Sequence, residues 1–355
     1  MKVVRSILLI LNVLVAVALL LTTLAGSIAP SRSVLPSVAA YAYLPMLGIN
    51  LLFVVGWLLA RRWPFLISAA AIAVRYSVLF CFFQFGGTSK VPSLDDHPGR
   101  LVLMTYNLHN FGGPEFDAQP RDSVARLFLG LVREHRPDVL CLQEYTDPKG
   151  CSVTDSLVLM GYNHHIGSRL NGDRPRGTAV FSRNPITYVK AIDRQKVMVE
   201  FLHGDQPMRL CCVHMDSYSF TATDHEEIAQ MRRGHIDTTS RSTLRKAKQT
   251  VIKHESEWNE LLKPIVTECS VPLIVAGDMN DIPSSWLYSR LSDHLSDTYL
   301  DCGSGMGATY HGGFPRFRID MVFRNDRLRT LSYRRIRTRL SDHYPVIVSL
   351  EPAKP

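Results

Sequence analysis

The first 89 residues contain no aspartate or glutamate and carry three long apolar runs, Ile7–Ala25, Val38–Ala60 and Pro64–Phe85. A bilayer core of about 30 Å takes about 20 apolar residues as helix, and each run meets that length. The chain is therefore expected to open with a membrane region, residues 1–85, of three transmembrane helices over about 7–25, 38–60 and 64–85. The first run also has the basic start and the Leu-Ala-Gly-Ser end of a cleaved signal peptide, but it is long and two further runs follow directly. Arg75 falls inside the third run and is expected to face a neighbouring helix or reach the headgroups.

Charge assigns sides. Lys2 and Arg5 precede the first run and Arg61 and Arg62 separate the second from the third, whereas only Arg32 lies between the first and second. Basic short loops stay inside, so three crossings carry everything after residue 89 outside. The expected location is a bacterial inner membrane with the polar part on the periplasmic, extracytoplasmic side. Six of the 40 Lys and Arg lie in residues 1–89, which leaves 34 against 32 acidic groups in the rest. The net charge of +8 is thus mostly an effect of the membrane region, and a pI near 9.2 is no argument for nucleic-acid binding here. The cysteines match no zinc spacing, and Cys141, Cys211 and Cys212 sit in apolar strand-like runs, so no disulfide is expected.

Residues 86–99 have linker composition, and 100–355 form the expected folded domain. Strands are expected at Leu101–Tyr106, Val139–Leu142, Thr178–Ser182, Val197–Leu202, Met208–His214, Val271–Ala276, Ile319–Arg324 and Val346–Leu350. Helices are expected at Ser123–Glu134, with Asp122 as N-cap, at Thr243–Ile265, and over Trp286–Leu291 with Ser284 or Ser285 as cap. Residues 216–242 read as a long polar loop. Helices alternate with strands early and strands pair directly later, which points to a mixed α/β sandwich.

Polar residues close these apolar runs in order: Asn107, Glu144, His214, Asp278 with Asn280, Asp320, and Asp342 with His343. One such residue means little, since strands commonly end in polar groups. The whole ordered set is a different matter. Thr-Tyr-Asn107, Leu-Gln-Glu144, Gly177-Thr-Ala-Val-Phe-Ser-Arg183, Val-His214, Gly-Asp278-Met-Asn280-Asp, Arg-Ile-Asp320 and Ser-Asp342-His343-Tyr-Pro resemble the successive motifs of the endonuclease/exonuclease/phosphatase superfamily over residues 99–351.

That resemblance implies a two-sheet α/β sandwich flanked by helices, deoxyribonuclease I-like, here preceded by three transmembrane helices. It implies Glu144 as metal ligand, with Asn107 and Asp342 completing the shell around Mg²⁺, or Mn²⁺ in its place. It implies Asp278 orienting or deprotonating water, Asn280 donating to a phosphoryl oxygen, and Asp320 holding His343. The base is Asp278 or the His343–Asp320 pair, and the motifs leave that open. His214 corresponds to a second phosphate-contacting histidine that is absent from the abasic-site branch. Gly177 and Thr178 are expected to be structural, and Asp297 and Thr309 to lie near the site or serve turns.

The implied activity is hydrolysis of a phosphodiester or phosphomonoester on a lipid, a sugar phosphate or a nucleic acid. The alternatives are an extracytoplasmic nuclease and, from another class, a non-catalytic phosphate-binding membrane scaffold, against which the intact carboxylates argue. Basic clusters at Arg232–Lys248 and Arg316–Arg339 would gather anions or face lipid headgroups. No organic cofactor and no protein partner is expected.

Overall fold

The structure is a computed structural model that describes residues 2–88, 90–92, 96–112, 120–167, 177–218, 240–313 and 316–353, with side chains of 240–244 outside the description. In chain order the longer helices are α1 (Lys2–Thr22), α2 (Tyr43–Leu59), α3 (Phe65–Val74), α4 (Arg121–His135), α5 (Val153–Leu159), α6 (Ser240–Glu257), α7 (Trp286–Ser292) and α8 (Thr298–Cys302). The strands of the two main sheets are β1 (Leu101–Asn107), β2 (Val139–Tyr145), β3 (His164–Gly167), β4 (Gly177–Ser182), β5 (Ile186–Ala191), β6 (Lys196–His203), β7 (Gln206–His214), β8 (Leu273–Asp278), β9 (Ser296–Asp297), β10 (Asp320–Arg324), β11 (Leu328–Arg335) and β12 (Val346–Pro352). Most of the long loop expected at 216–242 falls outside the described residues, as do Arg232, Arg233 and the side chain of Arg241.

The chain divides into two compact units. One gathers Met1–Cys81 with Asp216–Asn259 and Asp281–Arg290; the other holds Phe82–Met215, Glu260–Asn280 and Leu291–Pro355. In the first unit, α1, α2 and α3 share a buried polar core. Ser68 Oγ lies 2.5 Å from Asn12 Oδ1 and 2.7 Å from Asn50 Oδ1, and Asn12 Nδ2 donates to the Pro64 carbonyl. These bonds tie the three apolar helices together through satisfied buried polar groups.

Three transmembrane helices are not what forms. Among the described residues two stretches, Lys2–Ser27 and Leu35–Leu59, are long and apolar enough to cross a membrane. The third run is a ten-residue helix that stops at Arg75 (φ −129°, ψ 35°), followed by a five-residue helix, Tyr76–Phe80. The break has a cause: Arg75 leaves helical geometry and turns its guanidinium onto the Thr23 carbonyl. Without a third full span, counting crossings no longer assigns the remaining residues a side.

The second unit is a two-sheet sandwich. One sheet has the order β9-β10-β8-β7-β6-β5 and the other β11-β12-β1-β2-β4-β3. Pairings are antiparallel except β7 with β8 and β1 with β2. Side chains alternate across a strand, and both faces of β1 are used. Leu101 and Leu103 enter the core between the sheets with Val139, Leu210 and Ile274. Val102, Met104 and Tyr106 pack on the opposite side against Val124, Phe128 and Val132 of α4. Residues after the apolar region join this unit at once: Phe83–Gln84 pair with Gly305–Met306, and the Thr88 amide donates to the Cys302 carbonyl.

Other expectations shift locally. Helix α4 begins at Arg121 after Pro120, so Asp122 lies inside the first turn and pairs with Arg126 instead of capping. The single helix expected to reach Ile265 becomes α6, a π turn at Trp258–Leu262 and a short helix at Lys263–Thr267. Pro264 has no N–H for the α ladder and its ring crowds the carbonyl four residues back, which the wider turn relieves. Ser285 caps α7, accepting from the Tyr288 amide.

Candidate active site

The inward rows of both sheets turn polar at one end of the core. Met208, Leu210 and Cys212 of β7 lead to His214; Ile274 and Ala276 of β8 lead to Asp278; Val322 of β10 leads back to Asp320. Strand register sets these three side by side, His214 opposite Asp278 and Asp278 opposite Asp320. On the facing sheet, Asn107 ends the inward row of β1 and pairs with Gln143 of β2. The two ends meet where Asn107 Nδ2 donates to Asp278 Oδ2 at 3.0 Å. Gly277 makes the β7–β8 approach possible: at φ 146° an added Cβ would lie 1.9 Å from the Val213 carbonyl oxygen.

Glu144 breaks the alternation. Strict period two would send it away from Gln143 and out of the core. Instead β2 and β4 slip register between Leu142 and Tyr145, and Glu144 takes φ 49°. A bulge re-aims a side chain in this way. Its Oε1 lies 3.4 Å from Asn107 Nδ2 and 3.9 Å from His214 Nε2. Asp342 Oδ1 accepts from Ser341 Oγ at 3.1 Å and lies 3.5 Å from His109 Nδ1, which is itself 3.9 Å from Glu144 Oε2.

This donor set fits a divalent cation. Glu144 and Asp342 offer carboxylate oxygens, the ligand type hard cations take. Asn107 Oδ1 accepts from the His109 amide at 3.0 Å and keeps a second lone pair. A second grouping, Asp278, Asp320 and His343, brings three ligand atoms within 4.8 Å of one another. There His343 Nδ1 is committed to Asp320 Oδ2 at 2.8 Å, and only Nε2 faces inward, 3.8 Å from Asp278 Oδ2. That grouping suits proton handling better than a cation.

Burial alone would lower the His343 imidazole, but the Asp320 and Asp278 carboxylates and the Asp320 hydrogen bond push it up to about 10. Burial raises the Asp278 carboxyl, opposed by His343, by His214 and by the Asn107 hydrogen bond. The Tyr310 ring meets His343 edge-on, centroids 5.1 Å apart. Asn280 sits at φ 47°; its amide N–H donates to Asp278 Oδ1 and its side chain to the Met215 carbonyl, both at 2.8 Å.

All eight residues expected at the site thus come together: Asn107, Glu144, His214, Asp278, Asn280, Asp320, Asp342 and His343. His109 and Ser341 join them, the latter donating to the Asn107 carbonyl at 2.8 Å. Their only sequence signal is closeness to Asn107 and Asp342. Thr178 donates to the Gln195 carbonyl, a structural tie between strand and loop. Asp297 caps α8 and pairs with buried Arg318, and Thr309 Oγ1 accepts from the Ile319 and Asp320 amides. Several arginines of the C-terminal cluster are similarly engaged: Arg318 with Asp297, Arg324 with Asp301, Arg329 with Glu351.

Two sheets closing on a carboxylate–histidine cluster define the class, an α/β sandwich with its polar residues gathered at one end of the core. The chain belongs to the Endonuclease/Exonuclease/phosphatase family, which matches residues 104–213 and 257–343. A domain of unknown function matches residues 5–82. Human protein angel homolog 2 is 27% identical over 183 residues, 46% of this chain and 30% of that protein, so the match spans less than a third of that relative's length.

Solved structures share the fold. The endonuclease/exonuclease/phosphatase from Beutenbergia cavernae has 20% identity and a TM-score of 0.50, with 72% of each chain covered. That from Bacteroides vulgatus has 16% identity and a TM-score of 0.51, covering 72% of this chain and 99% of its own. The humanized D. rerio TDP2 has 13% identity and a TM-score of 0.51, covering 71% and 99% respectively.

Proposed function

We propose that this chain is a membrane-anchored phosphoesterase that uses a divalent cation and water to open a phosphodiester or phosphomonoester. One observation carries the reading. A single carboxylate oxygen, Asp278 Oδ2, lies 3.0 Å from Asn107 Nδ2, 3.8 Å from His214 Nε2 and 3.8 Å from His343 Nε2. An amide and two imidazoles converging on a buried carboxylate make a place for a phosphate oxygen beside a proton acceptor.

A divalent cation at Glu144, Asp342 and Asn107, Mg²⁺ first and Mn²⁺ as substitute, would neutralise the anionic ester and polarise its phosphoryl oxygen. Asp278 takes the proton of the attacking water, because burial lifts its carboxyl while His343 is already protonated. His343, held through Nδ1 by Asp320, presents a charged Nε2–H to a phosphoryl or leaving oxygen. His214 supplies a second donor, and the Asn280 amide N–H keeps the Asp278 carboxylate in place.

The membrane part of the reading is supported by the surface of the first unit. Ile10, Leu14, Leu52 and Leu59 are among many exposed apolar side chains there, a surface that suits burial in lipid. Orientation is supported by contacts inside the same unit. Ser31, between the two long apolar stretches, meets Glu255 of a later segment, and Arg290 donates to the Gly26 carbonyl at the end of the first stretch. Those segments therefore share a side with residues 28–34, opposite to the basic ends at Lys2, Arg5, Arg61 and Arg62, which is the extracytoplasmic side.

The full chain in detergent, assayed with Mg²⁺ or Mn²⁺ and with EDTA, tests the activity on plasmid DNA, RNA, sphingomyelin, phosphoinositides, bis(p-nitrophenyl) phosphate and p-nitrophenyl phosphate. Metal-dependent release from at least one ester is expected. Silence on all of them at protein folded by circular dichroism would overturn the reading.

A further inference from the structure

A second buried histidine–aspartate pair, His254 and Asp281, lies in the other compact unit, and Asp281 directly follows the site residue Asn280 in the chain. His254 of α6 is 1% exposed and Asp281 is 4% exposed. His254 Nδ1 is 3.2 Å from Asp281 Oδ2, and its Nε2 is 2.7 Å from the Asp216 carbonyl oxygen. Each ring nitrogen of His254 thus faces an oxygen acceptor. Asp281 Oδ1 also accepts from the Ile282 amide at 2.9 Å. The Tyr41 hydroxyl, from the apolar N-terminal region, lies 3.4 Å from Asp281 Oδ1 and 2.6 Å from the Tyr218 hydroxyl, whose ring meets His254 edge-on.

The chain positions of these partners give the cluster its meaning. Asp216 follows Met215, whose carbonyl holds the Asn280 side chain and whose amide donates to the Asp278 carbonyl. Asp281 follows Asn280 directly. His254 thus grips both segments that leave the site, the one after His214 and the one after Asp278 and Asn280. Asn280 is in the left-handed region at φ 47°, a conformation that asparagine adopts only at some cost and that needs holding from both ends.

We propose that His254 and Asp281 are positioning residues for the phosphoesterase site, and that Tyr41 makes the N-terminal apolar region a working part of the enzyme as well as an anchor. The proposal rests on the phosphoesterase reading above. It assigns the pair no contact with substrate. Its action is to fix the strand-end segments on which His214, Asp278 and Asn280 ride, and a clamp of this kind acts on turnover more than on substrate affinity.

The test uses the full chain in detergent with saturating Mg²⁺ or Mn²⁺ and bis(p-nitrophenyl) phosphate. His254→Gln and Asp281→Asn should each lower kcat by roughly tenfold, within the range seen for residues that orient functional groups, with KM within about twofold. Because the two form one clamp, the double variant should be no slower than the worse single. Tyr41→Phe, which removes one oxygen, should cost about threefold on the same scale. Single variants at the wild-type kcat overturn the inference. So do losses that multiply in the double variant and track melting temperature. If His254→Gln fails to fold, Tyr41→Phe and Asp281→Asn decide. Asp278→Asn separates the two levels: an active Asp278→Asn overturns the site itself, whereas a dead Asp278→Asn beside fully active clamp variants overturns only this inference.

Discussion

Replacing Asp320 by asparagine probes the assignment of His343 most sharply. Asp320 is fully buried on β10, and its Oδ2 holds His343 Nδ1 at 2.8 Å. The substitution keeps the size and removes the charge. A hydrogen bond to a charged group contributes about 1.5–3 kcal/mol, and removing one member of a buried ion pair costs about 3–5 kcal/mol because the other is left uncompensated. His343 would respond by giving up its proton, since burial lowers its affinity for one and Asp320 is the first of the carboxylates that raise it. A neutral His343 has one donor to offer and no fixed orientation for it. Loss of a positioned acid–base group lowers rate by about 10²–10⁴. The expected result is therefore a fall of that size in kcat for the phosphate ester on which the wild type turns over, with far-UV circular dichroism unchanged. Turnover within threefold of wild type by folded Asp320→Asn would refute the role given to His343.

Further outcomes follow from other positions. Gly277→Ala places a Cβ against the Val213 carbonyl at a φ only glycine takes easily, so a loss of about 3 kcal/mol and a melting temperature lower by roughly 6–12 °C are expected; an unchanged melting curve would show that β7 and β8 do not approach so closely. Burial raises the Cys141 thiol and pushes Cys211 up to about 12, so iodoacetamide at about pH 8 should spare both in the native protein while reaching the half-buried Cys151; mass spectrometry showing Cys211 labelled as fast as Cys151 would contradict the buried assignment. EDTA should abolish turnover and lower thermal stability, by about 2.7 kcal/mol relative to a cation at a hundred times its Kd, and equal melting with and without cation would argue against the Glu144–Asp342 site. Alkaline phosphatase fused after Pro355 should be active if the catalytic residues face outward, and activity of a cytoplasmic reporter at that junction instead would reverse the orientation.

The strand ends were legible because period two is a strong signal and the site is its continuation. Ile274, Ala276 and Asp278 form one inward row, and so do Leu101, Leu103 and Asn107. The motif marks Glu144, yet alternation points it outward; the bulge that turns it is invisible in a string of letters. Strand β5 carries no clear pattern because it is an exposed edge, and β11 none because Leu-Arg-Thr-Leu-Ser-Tyr-Arg-Arg lacks a continuous apolar run. The third apolar run met the length rule for a span, but composition says nothing of where Arg75 finds a carbonyl. His254 and Tyr41 had no local signal at all. Their partners lie 27 and 240 residues away, and only folding brings these long separations together.

The central claim is that Asp278 serves a metal-dependent hydrolysis at the junction of the two sheets. Its most direct test is turnover of the ester panel by wild type and Asp278→Asn, titrated with Mg²⁺ from an EDTA-treated start. The account predicts activity that rises with Mg²⁺ in the wild type and a variant that stays folded and inactive at every concentration. Equal turnover by the two proteins, or wild-type turnover indifferent to the cation, would contradict it.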